Sequence, residues 1–414
     1  MSTLLYRTES KKAFAWLVFV LLLGTNFLGL MPFAGFVNIN TKPVILIKCL
    51  IFLFFAVETY NPRNKIDRWL LYLWIAFALN KVSSVFFRGQ SISEVPFQGS
   101  FIYDFGFYYI LSYIKPSVRQ IEKAIICLGF AALILYFVQY VLLPTPILES
   151  LTEGWRSSES VSEFDIERFS VTGEILISLL GLFYLNKYLL SKKLICLLVV
   201  IGVFVFTILH GYRSVILAYV ITCLLLYFKI NGFHFNRTTI SLLMLLFCFL
   251  FLLNFTPIFD DILGTINEKN ERQSALSFQE IDRVIEFKYF YDNIGKPFEW
   301  LFGAGFLGKN LTDLSSFINW VDLGFIGLSF MGGILLTICW IRLLCFGIRS
   351  YQLSRIYVNV FFLYIIFSTI LLPTAFNNKS IVVQCLMLYA VKRMALEKGK
   401  GKRDRMIQMK SNIN

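Results

Sequence analysis

Apolar residues run continuously along most of this chain and are broken by short, charged connectors. The runs do not alternate with period two, as half-buried strands would, and many approach the 17–25 residues that a helix needs to cross a hydrocarbon core. Backbone groups in hydrocarbon must be satisfied within the segment, so this pattern predicts helices. About twelve spans are expected, within 13–31, 43–57, 69–87, 99–114, 122–143, 171–186, 194–210, 214–228, 239–256, 318–341, 356–372 and 380–395. The shortest, 99–114, contains Asp104. The fold class expected is all-α, a single polytopic membrane domain over 1–414.

Three polar stretches interrupt the pattern. An outward loop is expected over 144–171, a large outward loop over 257–317 and a basic cytoplasmic tail over 396–414. Within the large loop Phe278, Ile281, Ile285 and Tyr289 recur at helical spacing with charged residues between them, which predicts an amphipathic surface helix carrying Arg283. Gly295 and Pro297 end that helix, and a glycine-rich turn from Gly303 to Gly308 follows. His210-Gly211-Tyr212-Arg213 forms a tight turn that puts Arg213 in the first turn of the next helix, where free N–H groups favour an anion.

Composition agrees with the pattern: 57% of the 414 residues are hydrophobic, 17% are aromatic and the mean hydropathy is +0.68. The net charge of +13 raises the question of nucleic acid. The excess lies in short connectors on one face and in the tail, where it sets membrane orientation and meets anionic lipid, so no nucleic-acid partner is expected. By the same count both termini are cytoplasmic and the large loop faces outward. The eight cysteines fall in or at the ends of spans, which implies neither a disulfide framework nor a metal cluster. No cofactor and no metal are expected.

Arg168, Arg213 and Arg283 all fall on the outward side. Arginine keeps its charge near apolar surroundings and presents a planar fork suited to phosphate, so together they suggest a site for a phosphate-bearing, membrane-embedded substrate. Local pairing with carboxylates or headgroups is the alternative for each. Gly303 and Gly305 allow close backbone approach to a ligand or, equally, a structural turn. His210, Asp313 and Asp322 are candidate proton acceptors, although Asp322, followed by Gly324 and Gly327, also suits close helix packing.

Together the Arg168-Phe-Ser-x-Thr-Gly173 run, the Gly-Tyr-Arg213-Ser turn, Arg283, Leu-Phe-Gly303-Ala-Gly305 and Asp322-Leu-Gly324 resemble the O-antigen polymerase and ligase family. That resemblance implies a metal-independent inverting glycosyltransferase of the bacterial inner membrane, serving lipopolysaccharide or capsule synthesis. Its substrates would be polyprenyl-diphosphate-linked oligosaccharides, with membrane lipids and a chain-length regulator as partners. Arg213 and Arg283, with Arg168, would bind the diphosphate; Asp313, Asp322 or His210 would take the acceptor proton. Asp313 stands where ligase-type members carry a histidine, which favours a polymerase over a ligase. From another class, a lipid-linked oligosaccharide flippase is the competing expectation.

Overall fold

The protein is seen in a computed structural model that describes residues 2–25, 42–142, 173–210, 213–232, 282–294, 297–306, 320–349, 353–371, 374–376 and 378–411. Among these residues all regular structure is helical. The α-helices are α1 (Ser2–Gly24), α2 (Lys42–Thr59), α3 (Lys65–Arg88), α4 (Phe107–Ile114), α5 (Val118–Val141), α6 (Glu174–Ser191) and α7 (Leu194–His210). They continue with α8 (Arg213–Asn231), α9 (Asp282–Asn293), α10 (Pro297–Phe302), α11 (Gly324–Gly332), α12 (Ile334–Arg349), α13 (Ile356–Leu371) and α14 (Asn378–Ser411). Short 3₁₀ helices lie at Val95–Phe97, Ser100–Gly106, Trp320–Leu323, Leu353–Arg355 and Thr374–Phe376.

The expectation of about twelve spans is corrected. Three described helices, α3, α5 and α6, are long and apolar enough to cross a membrane by length and composition. The apolar segments Leu194–Leu209, Val215–Asn231 and Ile356–Ile370 are shorter. The physical reason is that an apolar run in sequence does not report where the backbone breaks or where charge interrupts it. The run at 99–114 divides into a 3₁₀ helix and the short α4, and that at 318–341 divides at Gly333. α2 carries Lys42, Lys48 and Glu58. The run at 239–256 and the loop at 144–171 lie outside the described residues, as does most of 257–317. A twelve-span polytopic fold, and the multi-pass inner-membrane placement with both termini cytoplasmic that depended on it, therefore do not stand. The expected basic tail continues α14 as helix through Ser411.

Long-range polar contacts set the packing. Ser178 Oγ lies 3.2 Å from the Tyr364 hydroxyl and Asn186 Nδ2 donates to the Ser354 carbonyl at 3.0 Å, so α6 and α13 run antiparallel. α3 likewise runs antiparallel to α11 and α12 taken together, with Trp69 beside Arg342 of α12 and Asn80 beside Met331 of α11. α14 lies in the middle: Trp340 Nε1 donates to Gln384 Oε1 at 3.1 Å, and the Tyr389 hydroxyl donates to the Pro116 carbonyl at 3.3 Å. α13 and α14 supply long stretches of the apolar core, including Phe361, Phe362, Ile365, Leu386 and Leu388, all with no exposed surface.

Asp67, fully buried, gathers one end of the bundle. It accepts from the Asn61 N–H at 2.9 Å, Asn64 Nδ2 at 2.8 Å and the Tyr108 hydroxyl at 2.6 Å, with Lys392 Nζ at 3.7 Å. A buried carboxylate is tolerable only with such a complement of donors. Near it, Arg355 bridges Glu122 at 2.9 Å and Glu397 at 3.4 Å. These contacts join the starts of α3, α4, α5 and α13 to α14.

Where α11 ends, its free carbonyls are taken up in turn, as helix ends require. Ser329 O accepts from the Gly333 N–H at 3.1 Å, Phe330 O from Ala304 N–H at 3.0 Å and Met331 O from Gly305 N–H at 2.9 Å. Asn80 Nδ2 then donates to both Met331 O at 2.8 Å and Phe302 O at 2.6 Å. Gly303 sits at φ +87°, and a Cβ there would lie 2.3 Å from Met331 O. Asn80→Leu is expected to lower stability by about 2–4 kcal/mol, because buried carbonyls lose their donor; denaturant unfolding in one fixed detergent measures it. Gly303→Ala combines a clash with left-handed strain and is expected to lower the yield of folded protein on size-exclusion chromatography.

Candidate functional site

A cavity of about 400 Å³ opens between α2, α3 and the two 3₁₀ helices before α4, within the size range of small-molecule sites. Phe52, Leu53, Phe77, Ala78 and Pro96 give it apolar walls, and Lys81, Trp74 and Tyr103 supply polar atoms. Leu53 is 56% exposed, so the cavity communicates with the outer face of α2, where Leu46, Leu50 and Phe54 are also exposed.

Lys81 is the central cation. Its Nζ donates to the Gln98 carbonyl and lies 4.4 Å from the Phe77 ring centroid and 5.3 Å from that of Phe306. Among the described residues no carboxylate is within ion-pair distance of it. Aromatic faces and one carbonyl compensate an ammonium only in part, since each is weaker than an ion pair in low-dielectric surroundings. The indole N–H of Trp74 is buried and has no hydrogen-bond acceptor among the described residues. Among the residues that line the cavity, Trp74 thus leaves a donor unused.

Beside the cavity, Lys48 and the 1%-exposed Asp104 form an ion pair. Burial pushes the Asp104 carboxyl up to about 6, and Lys48 opposes that rise without cancelling it. Burial likewise raises the Cys49 thiol to about 11, against the pull of Lys48, and the Tyr103 phenol to about 12. Both therefore stay protonated near neutrality and add no negative charge to the site. Beyond Lys81 on α3, Arg88 meets Glu299 of α10 through two contacts, Nε to Oε1 at 2.8 Å and Nη2 to Oε2 at 3.0 Å, and also donates to Asn293 O at 2.7 Å. Glu299 is 3% exposed, so this bidentate pair fixes α10 on the cavity-bearing helix.

The residues singled out from sequence fall elsewhere. α7 returns after a two-residue turn from α6, bringing His210 back to the level of Glu174, and Arg213 begins α8 there. Because α13 is antiparallel to α6, its end reaches the same level; Gly324, two residues after Asp322, packs so closely on Thr369 O that a Cβ would lie 2.0 Å away. Backbone topology thus brings the helix ends bearing His210, Arg213 and Asp322 together. Arg283 is the second residue of α9, whose Phe287 and Phe290 rest on Phe330 at 5.6 and 5.8 Å. The side chains of His210, Arg213, Arg283 and Asp322 lie outside the described residues, as do Arg168 and Asp313 altogether. Gly303 and Gly305 are buried, the first against the Met331–Gly333 backbone and the second against Ser84.

Sequence reasoning passed over Lys81, Asn80 and Trp74. Their signal was present, since an amide and an ammonium side by side within an apolar helix are costly unless a partner or a ligand uses them.

No protein-family model matches the chain, and no curated protein matches it. The resemblance to the O-antigen polymerase and ligase family is therefore corrected, because its motifs required a twelve-span frame and three described helices qualify as spans. Polymerisation of lipid-linked repeat units, and the ligase and flippase alternatives, lose their basis with that frame.

The raised Asp104 carboxyl gives a pH test. Folded protein holds this proton to higher pH than the unfolded chain, so the contribution of Asp104 to stability falls as pH rises from near 4 through about 6 and is level above. Asp104→Asn is expected to remove that decline, by at most about 3 kcal/mol. Thermal unfolding of both proteins between pH 4.5 and 7, where parallel curves contradict the assignment, measures it.

Proposed function

We propose that this protein binds an amphiphile whose apolar part fills the cavity between α2 and α3 and whose anionic or acceptor-rich head meets Lys81 and the Trp74 indole. The observation that carries this reading is a lysine lining an apolar cavity with no carboxylate partner among the described residues. Apolar walls favour a hydrocarbon chain through the hydrophobic effect, and an ammonium held by one carbonyl beside an indole N–H without an acceptor favours a phosphate or carboxylate. The exposed apolar face of α2 supports a route by which such a ligand arrives from a lipid phase. Membrane lipids are thus the partner class this site suits.

Dodecyl phosphate, titrated calorimetrically into protein held in a neutral detergent, tests the proposal. Lys81→Met is expected to weaken binding at least about tenfold, near 1.4 kcal/mol, and Lys81→Arg to retain most of it. Equal affinity for dodecyl phosphate in wild type and Lys81→Met sinks the reading.

A further inference from the structure

We infer that a second, independent lipid site lies at the opposite end of α3, where Arg342 of α12, seated on Trp69, takes the phosphate headgroup of an anionic phospholipid. The Arg342 guanidinium lies 5.7 Å from the Trp69 ring centroid and 5.4 Å from that of Phe346. Its Nε is buried without an acceptor, and no carboxylate pairs with it among the described residues. Guanidinium stacked on an aromatic face keeps its N–H edge free, and that edge matches a phosphate in two-point geometry.

The surroundings argue for an anion at this end. Arg68, Lys115, Arg119, Lys192, Lys193 and Arg349 are all exposed at helix ends; the Asp67 and Arg355 contacts draw together those of α3, α5 and α13, and Asn186, donating to the Ser354 carbonyl, brings the end of α6 to Arg355. Most carboxylates among them are already used, Asp67 by its donors and Lys392, Glu122 and Glu397 by Arg355, which leaves Glu58, exposed at the end of α2, against six exposed cations. Uncompensated positive charge therefore remains on the surface, and it attracts anionic headgroups at short range.

The occupant is a lipid rather than a free anion because apolar surface leads away from the cation on both helices. α3 continues from Trp69 with exposed Tyr72, Ile75 and Leu79, and α12 leads back from Arg342 with exposed Ile341, Ile338 and Ile334. Each set recurs at three- and four-residue spacing and so forms one stripe. Trp69 and Tyr72, in edge contact at 5.5 Å, stand where the cationic end meets these stripes, the position that amphipathic rings favour at a lipid–water boundary. Headgroup, glycerol level and acyl chains each meet a surface of matching chemistry.

Thermal unfolding in neutral-detergent micelles doped with phosphatidylglycerol or phosphatidylcholine provides the test. Phosphatidylglycerol is expected to raise the midpoint of the wild type by several degrees more than phosphatidylcholine, Arg342→Gln to abolish that difference, and Lys288→Gln, exposed on α9 and no part of this cationic set, to preserve it. Arg68→Gln, whose side chain is exposed, is expected to halve the difference and serves in place of Arg342→Gln if that variant does not fold. The inference is overturned if phosphatidylcholine stabilises equally, if the arginine variants keep the full difference, or if inorganic phosphate alone reproduces it. None of these outcomes depends on the Lys81 cavity, which lies on the other side of α3.

Discussion

A helix broken inside an apolar core exposes carbonyls that only the protein can satisfy, and this requirement governs the architecture around α11 and α12. Gly333 ends α11, and the freed carbonyls of Phe330 and Met331 accept from the backbone N–H groups of Ala304 and Gly305. Asn80 ties the same junction to α3. Without these donors, each carbonyl would carry a desolvation penalty comparable to a lost buried hydrogen bond. The break therefore dictates that the 303–305 turn and α3 sit where they do, and α3 in turn carries both Lys81 and Trp69.

Charge follows the same logic. Asp67, Glu299, Glu122 and Asp104 are each held by donors or cations drawn from distant parts of the chain. Pairs of this kind add little net stability over an apolar equivalent, but losing one partner strands a buried charge. They therefore specify which helix meets which. Against this background Lys81 and Arg342 differ from Lys48, Arg88, Arg355 and Lys392, because rings and, for Lys81, one carbonyl surround them where carboxylates meet the others.

The centres of most described helices were legible in the sequence, because long apolar runs leave few alternatives to helix, but several ends were not: α1 begins at Ser2 rather than at 13, and α14 runs to Ser411 rather than to 395. Spanning quality was not. The 3₁₀ geometry of Ser100–Gly106, beginning after Gly99 at φ +61°, and the break at Gly333 arise from contacts hundreds of residues apart in sequence. Hydropathy averaged along the chain passes over both. The candidate site was legible only as an oddity, a lysine in an apolar helix; that its neighbours are Gln98, Phe77 and Phe306 depended on packing.

The sequence by itself pointed to helix, which all regular structure among the described residues is, and to cations concentrated in the connectors, since period and composition act locally. Only the tertiary structure decided how many of those helices are long and unbroken enough to span, which carboxylates neutralise which cations, and where donors are left in excess. Those outcomes depend on which helix ends come into register. Register is set by non-local pairs such as Asn80 with Met331 and Asp67 with Lys392. Periodicity along the chain carries no information about them.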